Sequence, residues 1–237
     1  MTEYPAAGRC LASMRFLTGL LLLLAGPAWA EWNADIYGGV VYTPRSDITQ
    51  SIGSPSGPAD HTYHDVKWNN SPVYGARVGY WLKGADWYGF GMDVFQYSAD
   101  VPTQTVNITI SGATTPVQLQ AIDFRVTTIA FDVVRLRYPA GNLEPYASAG
   151  PALFKVKVTN RGNGELTTTA GRDDAWGYKL GAGLSWFVSR SAALCAEYRF
   201  THVHSEVVLQ GTITGAGVPT RFDLDSHHVV AGASLRF

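Results

Sequence analysis

The segment AWGYKLGAGLSW, residues 175–186, restricts what this chain can fold into more than any other feature. Trp176, Tyr178, Leu180, Ala182, Leu184 and Trp186 fall on one face of an extended strand, and Gly177, Lys179, Gly181, Gly183 and Ser185 on the other. The apolar face is bracketed by aromatics, as membrane interfaces favour. The opposite face is small and polar, which suits a narrow interior and not a packed aliphatic core.

Three further segments repeat the pattern. In VYGARVGYWL, Tyr74, Ala76, Val78, Tyr80 and Leu82 oppose Gly75, Arg77, Gly79 and Trp81. In LCAEYRFTH, Leu194, Ala196, Tyr198 and Phe200 oppose Glu197, Arg199 and Thr201. The closing VVAGASLRF sets Val229, Ala231, Ala233, Leu235 and Phe237 against Gly232, Ser234 and Arg236. Weaker alternation appears in ADIYGGVVYT (34–43), WYGFGMDVF (87–95), TTIAFDVVRLRY (127–138) and EPYASAGPALFKVKV (144–158). Parity fails between Asp132 and Arg137, which predicts a β-bulge or a register error there.

Period-2 counting thus gives about eight segments of roughly ten residues, the length a tilted strand needs to cross a bilayer. Connections alternate in length. Short ones fall at Lys83–Asp86, Pro139–Leu143 and Ser189–Ala192, and long ones at 45–72, 98–126, 159–174 and 206–224. Short turns on one side and long loops on the other predict an all-β, eight-stranded antiparallel up-and-down transmembrane barrel, with both termini in the periplasm and four external loops. The loops carry the Ser, Thr, Gly, Pro and Asn of exposed segments. A soluble sandwich or lipocalin-like barrel is the competing fold, but it would place the aliphatics inside.

The N-terminus supports export. Arg9 and Arg15 precede the apolar run FLTGLLLLLAGPAWA, which ends in Ala28-Trp29-Ala30 before Glu31. That run of about 15 residues is too short to span a membrane as a helix, and its small-x-small ending reads as a signal peptide, residues 1–30, cleaved before a barrel domain at 31–237. Cys10 lies ahead of the apolar run, where no lipid would be attached, and after cleavage Cys195 has no disulfide partner. A formal net charge of -1 across 237 residues gives no reason to expect a nucleic-acid partner.

Alternation places Asp35, Asp93 and Glu197 with Arg77, Lys179, Arg199 and Arg236 on the inward face. Both signs are nearly balanced, and charges buried without partners are costly, so an ion-pair network that fills the lumen is expected. Eight strands leave an interior that side chains can fill, which makes a polar path for small ions the alternative and not the default.

The stretches GYWLKGADWYGFGMDV, RLRYPAGNLEPYASAGPALF, AEYRFTH and HHVVAGASLRF together resemble the small Gram-negative outer-membrane β-barrels, the OmpA-like, OmpX-like and opacity-type group. The resemblance covers residues 31–237. It implies a monomeric barrel in outer-membrane lipid whose C-terminal Phe237 is the signal read by the barrel assembly machinery.

The one cluster with chemical potential is His202, His204, Ser205 and Glu206, facing Asp225, His227 and His228. Lipid A deacylase barrels use a His-x-Ser motif near the outer leaflet. Here Ser205 follows His202 by three positions and His204 by one, and strand parity puts it on the face opposite both. For a metal, parity offers His202 and His204 only His227 as a clear third ligand. The sequon Asn107-Ile108-Thr109 is a chance match in a bacterial setting. The expectation is a barrel without catalysis, metal or cofactor, whose external loops serve adhesion, partner binding or envelope integrity. An ion channel and a lipid-modifying hydrolase are the alternatives.

Overall fold

The computed structural model describes residues 31–54, 57–160, 170–210 and 217–237. The expected signal peptide lies outside them. Strands are β1 (Glu31–Tyr42), β2 (Ser46–Ser54), β3 (Gly57–Val66), β4 (Ser71–Leu82), β5 (Ala85–Ser98), β6 (Gln104–Ile110), β7 (Ala113–Leu119), β8 (Ile122–Arg137), β9 (Leu143–Asn160), β10 (Ala170–Phe187), β11 (Ala192–Gln210) and β12 (Gly217–Arg236).

Eight of them close a ring in the order β1-β4-β5-β8-β9-β10-β11-β12, and β1 pairs back onto β12 from Asn33↔Arg236 to Tyr42↔His227. Every pairing is antiparallel. Closure leaves no unpaired edge within the ring, which is what a strand structure requires in lipid.

The remaining four strands lie inside two of the expected long loops. β2–β3 and β6–β7 are hairpins that extend the sheet from the outer end of β12, through Phe222↔Ile48 and then Tyr63↔Ile108. The connections expected at 159–174 and 206–224 are also largely strand, because β9 and β10 pair as far as Thr159↔Ala170 and β11 and β12 as far as Gln210↔Gly217. The turn residues in these stretches signalled loops, yet β-branched Ile48, Thr62, Val106 and Ile108 supply strand propensity that the pairing uses.

Lipid-facing side chains form the expected belt. Ile36, Val40, Val78, Met92, Leu180, Leu184, Val229 and Leu235 are exposed around the wall, with Trp32, Trp87, Trp186 and Phe237 toward the short turns and Tyr42, Tyr74, Trp176 and Tyr198 toward the hairpins.

The ring strands β8 to β12 are longer than a crossing needs. β10 has 18 residues and β12 has 20, against the roughly ten that span a bilayer. Their outer halves therefore stand above the membrane, and there the alternation changes sides. In FKVKV, Phe154, Val156 and Val158 point inward and are buried, while Lys155 and Lys157 point outward.

Candidate functional site: a lumen filled in two tiers

The lower tier, toward the short turns, begins with one row of the sheet. Asp35, Arg77 and Asp93 are consecutive cross-strand partners on β1, β4 and β5. Arg77 reaches across the lumen to Glu197 at 2.7 Å and lies 3.3 Å from Asp35. Arg199 approaches Glu197 at 2.8 Å and Asp93 at 3.3 Å. Lys179 bridges Asp93 and Asp132, each at 2.8 Å. Two phenols join the network: Tyr146 donates to Glu197 at 2.9 Å, and Tyr37 donates to Asp93 and accepts from Arg199. Arg77 is 1% exposed and Lys179 and Arg199 are 0%, so these side chains fill this level of the lumen.

Glycine makes that filling feasible. Arg199 lies opposite Gly181, Glu197 opposite Gly183, and Tyr37 between Gly75 and Gly232. A methyl group at Gly79 would sit 1.7 Å from Arg135 Nη1, and one at Gly183 would sit 2.7 Å from the Tyr146 ring. The glycine-rich face is thus the complement of the long polar side chains crossing the lumen.

Asp35, Arg77, Asp93, Lys179, Glu197 and Arg199 are brought into this one cluster. Arg236 is not. Its side chain is 21% exposed near the short turns, where it pairs with Glu31 and Glu144, and Arg137 joins the same pair of carboxylates at 2.6 and 3.6 Å. Sequence reasoning missed Asp132 and Arg135. Register shifts between Ala130 and Val134 on β8 and between Gly89 and Gly91 on β5 mark a bulge, and on either side of it Asp132 and Arg135 both turn inward. The failed parity at Asp132–Arg137 was the available signal. With these two included, four carboxylates (Asp35, Asp93, Asp132, Glu197) face four cations (Arg77, Arg135, Lys179, Arg199).

The upper tier, toward the hairpins, is apolar. Val126, Ala152, Phe154, Val156, Val203 and Leu224 are buried inside the ring, and Phe95, Tyr97 and His228 form a layer beneath them, with rings 5.0–5.5 Å apart across His228. Trp68, in the connection between β3 and β4, closes the top against Phe124 and Phe222 and donates from Nε1 to Ser46. Ile48 from the first hairpin packs into the same cluster. Tyr63, above the membrane on β3, has its phenol pushed up by burial and hydrogen-bonds Gln50 at 3.3 Å.

The histidines do not converge. His202 and His204 face outward, paired with Asp225 at 2.6 Å and Asp223 at 2.8 Å. His227 contacts the Tyr198 hydroxyl at 2.6 Å on the lipid-facing surface, whereas His228 is buried beside Thr201 at 3.0 Å. Ser205 faces inward and donates to Asp173 at 2.7 Å. The strand thus separates Ser205 from both neighbouring histidines, and among the described residues no group of three or more His, Cys, Asp and Glu is placed to hold a metal ion. Cys195 is buried and free.

Residues 16–237 match the family described as the outer membrane protein beta-barrel domain. Among solved structures, OprG from Pseudomonas aeruginosa aligns at 12% identity and a TM-score of 0.53, covering 88% of this chain and 96% of that one. The outer membrane protease OmpT from Escherichia coli aligns at 10% identity and a TM-score of 0.52, covering 87% and 97%. At such identities the likeness is one of fold. No curated protein sequence matches the chain.

Proposed function

Because the chain belongs to the outer membrane β-barrel family of Gram-negative bacteria, we propose that it is a closed, non-enzymatic barrel whose work is done by its external surface, in adhesion, partner binding or envelope integrity. The observation that carries this reading is the double filling of the lumen. A conducting barrel needs a continuous wet path, and the Arg77–Glu197–Arg199 network and the Val126–Phe154–Leu224 cluster each occupy a different level of it. Outside, β2–β3 and β6–β7 form a paired extension of the barrel wall, and a preorganised surface loses less entropy on binding than loose loops do.

Two measurements test it. Proteoliposomes holding the folded protein should swell in small sugars no faster than empty liposomes; faster swelling would turn the reading toward a pore. Replacing Thr105–Gln118 by a Gly-Gly turn should leave the heat-modifiable band of a folded barrel and reduce attachment of displaying cells to immobilised matrix proteins or to one another. Equal attachment by wild type and variant would count against the external surface as the working part.

A further inference from the structure

Just above the lipid belt, one part of the wall carries a row of cations in exact register. Arg125 on β8 is the cross-strand partner of Lys157 on β9, and Lys157 is the partner of Arg172 on β10. All three point outward and are exposed. Like charges placed directly opposite in a sheet repel, and cross-strand side chains begin only about 5 Å apart. Among the described residues none of the three makes an ion pair. The row beneath is settled differently: Lys155 is held by Asp174 at 3.0 Å. One row lower again, Ile129, Leu153 and Trp176 are partners in the apolar belt. The cation row is four residues farther along each strand, roughly 13 Å at about 3.3 Å per residue, and less in height because the strands tilt. That is the level at which polar headgroups replace acyl chains.

The surface is also shaped to receive a group. A shallow groove of about 370 Å³ is lined by Arg125, Lys157 and Thr159 with Asp100 and Asp123, and a second, of about 540 Å³, by Arg125, Lys155, Lys157 and Arg172 with Asp173 and Asp174, of which Asp174 is paired with Lys155 and Asp173 accepts from Ser205. They share Arg125 and Lys157. The neighbouring wall is a useful contrast, because its outward polar groups have partners: His202 with Asp225, His204 with Asp223, and Arg221 with Glu206 at 3.1 Å.

We infer that the Arg125–Lys157–Arg172 row is a binding site for the phosphate groups of an outer-leaflet glycolipid, whose acyl chains lie against Ile129, Leu153 and Trp176 below. Arginine presents a planar fork that matches phosphate oxygens, and an anion among three like charges removes their repulsion. The inference concerns the outer wall, so it stands or falls separately from the role assigned to the hairpins.

Native mass spectrometry of the detergent-solubilised folded protein tests it, with lipid A, dephosphorylated lipid A and inorganic phosphate as probes. Wild type should retain lipid A, the R125A/K157A/R172A variant should retain it about a hundredfold less, at roughly 1 kcal/mol for each of the three cations near an anionic surface, and Arg221→Ala on the paired wall should match wild type. Equal retention of dephosphorylated lipid A, or equal loss in Arg221→Ala, would overturn the site. Competition by millimolar inorganic phosphate alone would make it a free-anion site and overturn the lipid assignment. A second readout depends on sign: Lys157→Gln should raise the thermal midpoint in detergent, where repulsion is relieved, and lower it once lipid A is added. A shift in the same direction under both conditions would contradict the inference.

Discussion

In the lower half of the barrel Arg77, Lys179, Arg199 and four carboxylates fill the lumen and the aliphatics face out; in the upper half Val126, Phe154, Val156 and Leu224 fill it and the charges face out. The two halves share the same strands and the same alternating geometry. What differs is the medium outside the wall. Where lipid surrounds the barrel, apolar groups gain nothing by turning inward, and the polar groups must satisfy one another across the lumen. Where water surrounds it, the hydrophobic effect returns and the strands behave as in a soluble protein. One strand, β9, makes the change within a few residues, from outward Ala149 and Leu153 to outward Lys155 and Lys157.

The sharpest way to break this contrast is to place a charge in the apolar tier. Val126→Asp puts an unpaired carboxylate where exposure is 0%, at a cost of several kcal/mol, and the heat-modifiable band on an unboiled gel should disappear. Normal folding of that variant would mean that the upper tier is wet. The next effect belongs to the lower tier. Lys179→Met leaves Asp93 and Asp132 buried without their shared cation, and urea unfolding in lipid should register a loss of about 3–5 kcal/mol.

A cavity in the upper tier should cost somewhat less. Leu224→Ala is expected to lower stability by about 3 kcal/mol in the same assay, since Leu224 is 1% exposed and enclosed by other apolar groups. A loss near zero would show that the cluster is loosely packed. The smallest effect should come from the outer face. His204→Ala removes an exposed pair with Asp223 and should change stability by less than about 1 kcal/mol; a larger loss would give that pair a structural role that its exposure argues against.

Much of the lower tier is legible in the sequence, because in the membrane each strand separates apolar from polar residues by strict parity. Asp35, Arg77, Asp93, Lys179, Glu197 and Arg199 are readable in that way. Asp132 and Arg135 are not, because the bulge between Ala130 and Val134 breaks the count at the place where they turn inward. Arg236 has inward parity, but parity carries no depth, and its position near the chain end puts it with Glu31 and Glu144. The upper tier is harder to see. A rule that puts apolar residues on the lipid side throughout cannot find Phe154, Val203 or Leu224, whose apolar character points the other way once the strand leaves the membrane. The hairpins are hidden for a separate reason: segments such as DITQSIGSPSGPADHTYHD carry turn residues, and their strands are specified by pairing with one another, and for β2 also with β12, more than by their own pattern.

Single-channel recording of the folded protein in a planar bilayer tests the two-tier closure most directly. Wild type should be silent, and Glu197→Ala, verified as folded, should be silent too, because the apolar tier still seals the lumen when the ionic tier is breached. Steady openings from wild type would contradict the closed barrel, and openings from Glu197→Ala alone would show that the upper tier does not seal.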